Sequence, residues 1–345
     1  MTDQTAPAPA PAAPAPSPAP AAHGDSQSAA GAARRLIRDQ PLIPLIVLLL
    51  ALVFVLQLVQ PGIVTAEWVG VTLRAAIPLA ILAGCQTLAM LTGGIDLSVG
   101  AVASMAAFVM ATLVNSQGPV VAIVIALLAA TAVGLVNGVG IGVFKVHPLI
   151  MTLGMNLVVL GLVAVYQLAM VLSGVVIPDA IQWLGSGTTF EFLPNSLFLF
   201  IPLAALIIIG LRRSGYGRLL FAVGDNEVAA RLSGVRVWQV LLVLYTLSAI
   251  LAALAGFLIA GLNKTASPAL VESAVLPSVA AAVIGGTSIL GGRGGYGGTI
   301  VGALILTLVT ALLTVLQMPE AVRQILFGAI IVVVAAAYTR VTGET

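Results

Sequence analysis

Residues 120–143 read VVAIVIALLAATAVGLVNGVGIGV, and none of them carries a charge. About 20 apolar residues in helical form are enough to cross the hydrocarbon of a bilayer. The apolar side chains follow one another without the alternation that marks a half-buried strand or the wall of a membrane barrel. In hydrocarbon every backbone N–H and C=O must find its partner inside the segment, which leaves the α-helix as the spanning form. This stretch therefore predicts a transmembrane helix. The same reading, carried outward in both directions, predicts nine more.

The ten segments run near 42–59, 69–91, 98–115, 120–143, 148–171, 197–211, 238–262, 275–290, 298–317 and 321–338. Glycine or proline interrupts the second, third, eighth and ninth, so a short, broken or re-entrant span is expected among them. The fold class that follows is all-α, a polytopic membrane protein with both termini on the cytoplasmic side.

Composition points the same way. Of the 345 residues, 60% are hydrophobic and 8% are charged, against about 25% charged in an ordinary soluble domain. So few charges cannot solvate the surface of a soluble fold, whereas a bilayer favours apolar side chains and penalises ionised ones. Cys85 is the single cysteine, so neither an intrachain disulfide nor a cysteine-based metal site can form. His23 and His147 lie far apart in the chain, and no metal site is expected.

Residues 1–33 differ from all that follows. Ala6 to Ala22 alternates alanine with proline almost without a break, and Gly24 to Ala33 is small and polar. Such a segment cannot bury apolar surface and reads as a disordered, extended cytoplasmic tail. A signal peptide would carry its apolar stretch much nearer the N-terminus. The remainder, 34–345, reads as one transmembrane domain.

The basic residues test the orientation. With the tail inside, the inner loops hold Arg34, Arg35, Arg38, Lys145, Arg212, Arg213, Arg218, Arg231, Arg236, Arg293 and Arg340 out of 14 Lys and Arg in total. Arg74, Lys264 and Arg323 are the exceptions, near outer ends or loops. The longest outer loop, 172–196, carries Asp179 and Glu191 and no basic residue. This is the asymmetry of the positive-inside rule.

Three stretches stand out against the apolar background. The first is Thr92-Gly93-Gly94-Ile95-Asp96-Leu97-Ser98-Val99-Gly100, where paired glycines permit a tight turn and Asp96 can cap the next helix through backbone N–H groups. An ionisable group near membrane depth is also a functional candidate. The second lies in the longest inner loop, about 212–237. There Gly224-Asp225-Asn226-Glu227-Val228-Ala229-Ala230-Arg231-Leu232-Ser233-Gly234 reads as a short helix with Asp225 as N-cap and Gly234 as its stop. Val228 and Leu232 share one face, and Glu227 pairs in spacing with Arg231. A helix this short is marginal alone, so either the membrane domain or a partner protein must hold it.

The third stretch, Ile284 to Gly298, is rich in glycine and includes Gly285-Gly286-Thr287-Ser288 and Gly291-Gly292-Arg293-Gly294-Gly295. It has no P-loop lysine, and neither Lys145 nor Lys264 stands in a GK[ST] motif. It reads as a turn with close backbone packing. If ATP drives this protein, another subunit hydrolyses it. No catalytic group is expected in the chain.

Taken together and in this order, these motifs resemble those of the ribose-type permeases of bacterial ABC importers. The resemblance runs from about Pro41 to Thr339 and adds Gly134-Leu135-Val136-Asn137-Gly138 and Thr152-Leu153-Gly154-Met155 to the three stretches. It implies a multi-pass subunit of the bacterial inner membrane, embedded in the lipid bilayer and paired with a second copy or a close relative. It further implies an ATP-binding cassette subunit that uses ATP and Mg, and an extracytoplasmic binding protein that delivers a monosaccharide. No cofactor is expected on the chain itself, and nucleic acid is not among the implied partners. Residues 224–234 then resemble the coupling helix that fits a groove on the ATPase. The alanine-proline tail and the extra glycines at 294–298 depart from the commonest pattern, and neither identifies a substrate.

Candidate pathway or gate residues are Gly93, Gly94, Asp96, Ser98, Gln86, Asn137 and Asn156, with Gln167 as a further polar residue within a span. Each polar one can equally bond a neighbouring helix. A secondary transporter remains an alternative and would need an intramembrane carboxylate, for which Asp96 is the candidate. Nucleosides and branched-chain amino acids remain alternative cargoes. A membrane enzyme would need clustered His, Asp or Glu, whereas the acidic residues here are scattered.

Overall fold

The computed structural model describes residues 42–170, 174–190 and 192–342. The tail read at 1–33, and the basic cluster Arg34, Arg35 and Arg38, lie outside the described residues. Thirteen α-helices occur among the described residues. They are α1 (Leu42–Val59), α2 (Ala66–Met90), α3 (Val99–Gln117), α4 (Pro119–Gly142), α5 (Pro148–Ala169), α6 (Asp179–Ser186), α7 (Ser196–Arg213), α8 (Gly215–Asp225), α9 (Glu227–Leu232), α10 (Val237–Asn263), α11 (Val275–Ile284), α12 (Tyr296–Val315) and α13 (Glu320–Thr342). Two short strands, β1 (Thr188–Thr189) and β2 (Leu193–Pro194), pair antiparallel in a small hairpin.

Eight of these helices are long and apolar enough to cross a membrane, and two shorter apolar stretches, Glu272–Ile284 and Ala321–Val333, complete the ten segments expected. The eighth segment is corrected in length. Only ten residues of it are helical, because Gly285 and Gly286, the latter at φ +86°, end α11 before residue 290. The outer loop 172–196 is not featureless, since α6 occupies its centre.

The core is built by α2, α3, α10, α11 and α12, whose facing side chains are buried. α1 is apolar all round and buries only Leu56. α5 likewise turns most of its length outward, with Leu157, Leu162, Val165 and Leu168 exposed. Lipid tails are as good a solvent for these faces as other helices are, so nothing forces them inward.

The most extensive helix pair is α4 with α10. Gly134, Gly138 and Gly142 stand at successive turns on one face of α4, against Tyr245, Leu242 and Trp238. A Cβ at Gly138 would lie 2.7 Å from the Leu242 Cα, and one at Gly134 2.6 Å from the Tyr245 carbonyl oxygen. Only a glycine ridge permits that approach of two backbones.

α11 starts in an unusual place. After α10, residues 264–271 run back along α3, where the Val271 N–H donates to Ser104 Oγ at 2.9 Å. α11 then begins beside Gly100, in the first turn of α3, rather than at the outer end of that helix. Ten residues cover about 15 Å, roughly half of a hydrocarbon core of about 30 Å.

Candidate functional site

The three motifs meet at one junction. The Gly292 N–H donates to the Leu91 carbonyl at 3.1 Å, tying the glycine-rich turn to the end of α2. Gly224, in the last turn of α8, is wedged against the same Leu91 carbonyl and against the Gly292 nitrogen. A Cβ there would fall 1.8 Å and 2.6 Å from them. Gly291 packs on Gly224 from the other side, at a left-handed φ of +96°. The loop after α2, the turn after α11 and the end of α8 therefore touch backbone to backbone, and a side chain on Gly224 would push them apart.

One residue further, α9 leaves the membrane domain. Asn226, not Asp225, is its N-cap: the Ala229 N–H donates to Asn226 Oδ1 at 2.9 Å. Asp225 instead closes α8 with its carboxylate beside Gly292. The short helix expected within 224–234 is thus present as α9, its N-cap moved one residue on, because the extended backbone at Asn226 (φ −161°) separates it from α8. The stop is as expected. Gly234 takes φ +87°, and the N–H groups of Gly234 and Val235 bond back to Arg231 and Ala230.

Ala230 holds α9 to the core, while Val228 and Leu232 are 69% and 84% exposed. Glu227 and Arg231 form an exposed ion pair one turn apart. Six residues with two large apolar side chains facing outward make a surface that no described residue covers. α8 is better anchored. Leu220 and Val223 are buried, and the Tyr216 hydroxyl, pushed up in pKa by burial, donates to the Val240 carbonyl at 2.9 Å. Between α9 and the α4–α5 turn lies a groove of about 290 Å³ whose wall includes Thr92, Lys145, His147 and Glu227.

Behind this junction sits a buried polar cluster. Asp96 lies in the linker between α2 and α3 and is 1% exposed. Its Oδ1 accepts from the Ser98 hydroxyl at 2.6 Å and the Ser98 N–H at 3.1 Å, and its Oδ2 accepts from the Ser248 hydroxyl at 2.7 Å. Burial raises the carboxyl above its ordinary pKa, against the opposing pull of these hydrogen bonds. Asn137 Nδ2 donates to Ser98 Oγ at 2.9 Å. Gln86 clasps the backbone of Asp96, donating to its carbonyl at 2.8 Å and accepting its N–H at 3.2 Å. The Leu97 N–H donates to Thr152 Oγ1 at 3.1 Å.

Residues from α2, α4, α5 and α10 are thereby fastened to one eight-residue linker, 91–98. Gln86, Gly94, Asp96, Ser98 and Asn137 are brought together as buried structural partners, with Gly93 at the exposed edge of the same turn. Asp96 serves the entry to α3 through the N-cap residue Ser98 rather than through the first helical turn. Asn156 and Gln167 do not join this cluster. They lie further along α5, where Gln167 is exposed. Asn137 Oδ1 and the Tyr245 hydroxyl are buried without a hydrogen-bond partner among the described residues.

Ser248 and Tyr245 belong to the site and were not singled out in the sequence, and Thr152 stood out there only as part of the Thr152–Met155 motif. A serine or threonine in an apolar helix usually bonds its own preceding turn and gives no sign of a distant partner. Ser248 reaches a residue 152 positions away. Only the lone carboxylate hinted that hydroxyls must gather somewhere around it.

Comparison with known proteins agrees with this architecture. Residues 69–335 match the family model described as branched-chain amino acid transport system / permease component. The ribose import permease protein RbsC of Bacillus subtilis (strain 168) is 33% identical over 75% of this chain and 80% of its own length. The fructose import permease protein FrcC of Rhizobium meliloti is 31% identical over 85% of this chain and 84% of its own. The ribose import permease protein RbsC of Escherichia coli (strain K12) is 34% identical over 76% and 82%. No solved structure gives a significant match. With a family model spanning most of the chain, and relatives above 30% identity covering as much of it, this chain belongs to the ABC importer permease-component family, as a multi-pass protein of the inner membrane.

Proposed function

We propose that this chain forms the translocation pathway of an ATP-driven importer for a monosaccharide. In this reading the basic face is cytoplasmic, and an ATP-binding cassette subunit docks there on Val228, Leu232 and the Glu227–Arg231 pair. A binding protein delivers the sugar on the opposite face, and two copies of the chain, or this chain and a close relative, share the assembly. The observation that carries the reading is the junction at Gly224, where the segment leading into the exposed α9 touches both glycine-rich turns. A push on α9 would reach the linker at Asp96 and, through its hydrogen bonds, α4, α5 and α10. Rigid-body movement of packed helices between two arrangements is what alternating access needs. The names of the relatives support a sugar, with ribose and fructose as the first candidates.

The family description names branched-chain amino acids, so the decisive experiment compares cargoes. Proteoliposomes containing the full chain with the ATPase and binding protein of its native host would be tested with radiolabelled ribose, fructose and leucine. ATP-dependent uptake of a sugar and not of leucine is expected. Uptake of leucine alone would overturn the sugar assignment, and uptake without ATP would make the chain a secondary transporter.

A further inference from the structure

Three basic residues stand on the face opposite the other described ones: Arg74, Lys264 and Arg323. The positive-inside rule leaves them unexplained, and a charge kept against that rule asks for another use. One of them, Arg323, lines a cavity, and Arg74 stands next to a residue of its wall. A space of about 270 Å³ opens between α2, the last turn of α10, the start of α11, α12 and the first turns of α13. Arg323 is in its wall, together with Ser273, Thr307, Thr310, Pro277 and Phe327. Arg74 neighbours the wall residue Ala75 and lies one turn from another, Pro78.

Thr307 and Thr310 donate their hydroxyl protons to the carbonyls of Ala303 and Leu306, at 2.8 Å and 2.9 Å. Their oxygens keep lone pairs free to accept. Arg323 brings only donors. Arg74 Nε and Glu272 Oε1, both close to the cavity in sequence, are buried without a hydrogen-bond partner among the described residues. Most of the wall is apolar, with Pro78, Leu79, Leu82, Ile259, Leu306 and Phe327 among its residues. A few donors and acceptors (Ser273, Thr307, Thr310 and Arg323) set in a largely apolar wall suit a small ring that presents hydroxyls at its edge and C–H bonds on its faces. The volume falls just under the about 300–1,000 Å³ of drug-sized pockets, which suits a single sugar unit.

We infer that this cavity is the outward-facing way station of the pathway, where the delivered monosaccharide first binds the chain, with Thr310 and Arg323 as its contacts. The inference rests on the sugar-permease reading and adds the location of the cargo. The broken span gives the site its shape, since residues 264–274 and the start of α11 leave room where a full helix would fill it.

The test uses the complete transporter in right-side-out membrane vesicles, with Thr310→Cys in the full chain and Ser116→Cys, an exposed position on the same side, as control. Cys85 is fully buried and gives little background. A membrane-impermeant, cationic thiol reagent is added outside, and uptake of radiolabelled ribose and fructose is measured before and after. Both variants are expected to label. Labelling should abolish uptake through Thr310→Cys and leave Ser116→Cys unchanged. In parallel, Arg323→Gln should raise the KM for the sugar about tenfold with kcat preserved, the loss of one charged hydrogen bond, and Arg323→Lys should recover part of it. Failure of Thr310→Cys to label, or full uptake after labelling, would overturn the site alone. If the wild-type chain takes up neither ribose nor fructose, the sugar reading falls and this site with it.

Discussion

Asp96 shows how much one side chain can organise. Its two carboxylate oxygens accept three hydrogen bonds, and the donors come from α10 and the entry to α3. Replacing it by alanine strands two buried hydroxyls. Asp96→Ala should cost about 1–3 kcal/mol for each group left unpaired, read as a lowered melting temperature in detergent. Asp96→Asn keeps the shape and one acceptor and should cost clearly less. Gly224→Val is a different kind of fault. Its side chain has nowhere to go between the Leu91 carbonyl and Gly292, and overpacking of this sort costs about 1–3 kcal/mol. Uptake should fall more than stability, because the variant separates the turns through which α9 acts, and comparing initial uptake rates with melting temperature checks it. The glycines and the lone aspartate at this junction were visible in the sequence because they are rare against an apolar background. Ser248 and Tyr245 were not, since a hydroxyl on an apolar helix looks the same whether its partner is one turn or half a chain away.

At the level of elements, α9 is the part whose role a simple substitution separates from folding. Val228 and Leu232 face outward, so Val228→Asp/Leu232→Asp should leave the stability within about 0.5 kcal/mol of wild type, as exposed changes do. The same double variant should lose the ATPase on co-purification in mild detergent. Retention of the ATPase would move the docking surface elsewhere. On α4, Gly138→Leu should behave oppositely. It would pry α4 from α10 and lower the yield of folded protein, measured by size-exclusion profile after extraction. Long elements were legible from composition alone: α1 and α4 follow the apolar runs almost residue for residue. Short ones were not. α6 has eight residues, too few for a periodic pattern to rise above its loop, and it forms because Ile181 and Gly185 pack on the last turns of α10. The break between α8 and α9 escaped for a related reason: Asp225 and Asn226 are both good N-caps by residue type, and only the packing of Gly224 decides that Asn226 takes the position.

For the whole molecule, the outward-facing apolar surfaces of α1 and α5 mean that the chain is not a water-soluble body at any stage. In a nanodisc with its ATPase, native mass measurement is expected to find two copies of the chain, and a single copy would contradict the proposed pairing. The span that begins partway along α3 carries a further consequence, for synthesis at the ribosome. A segment that reaches only about 15 Å is too short for the translocon to release into lipid by its own hydropathy. The backbone at 264–271 has no place in hydrocarbon until Ser104 is there to receive the Val271 N–H. α11 is therefore expected to join the bundle only once the earlier helices have packed to receive it, which makes its wall of the outer cavity a late part of the protein to form.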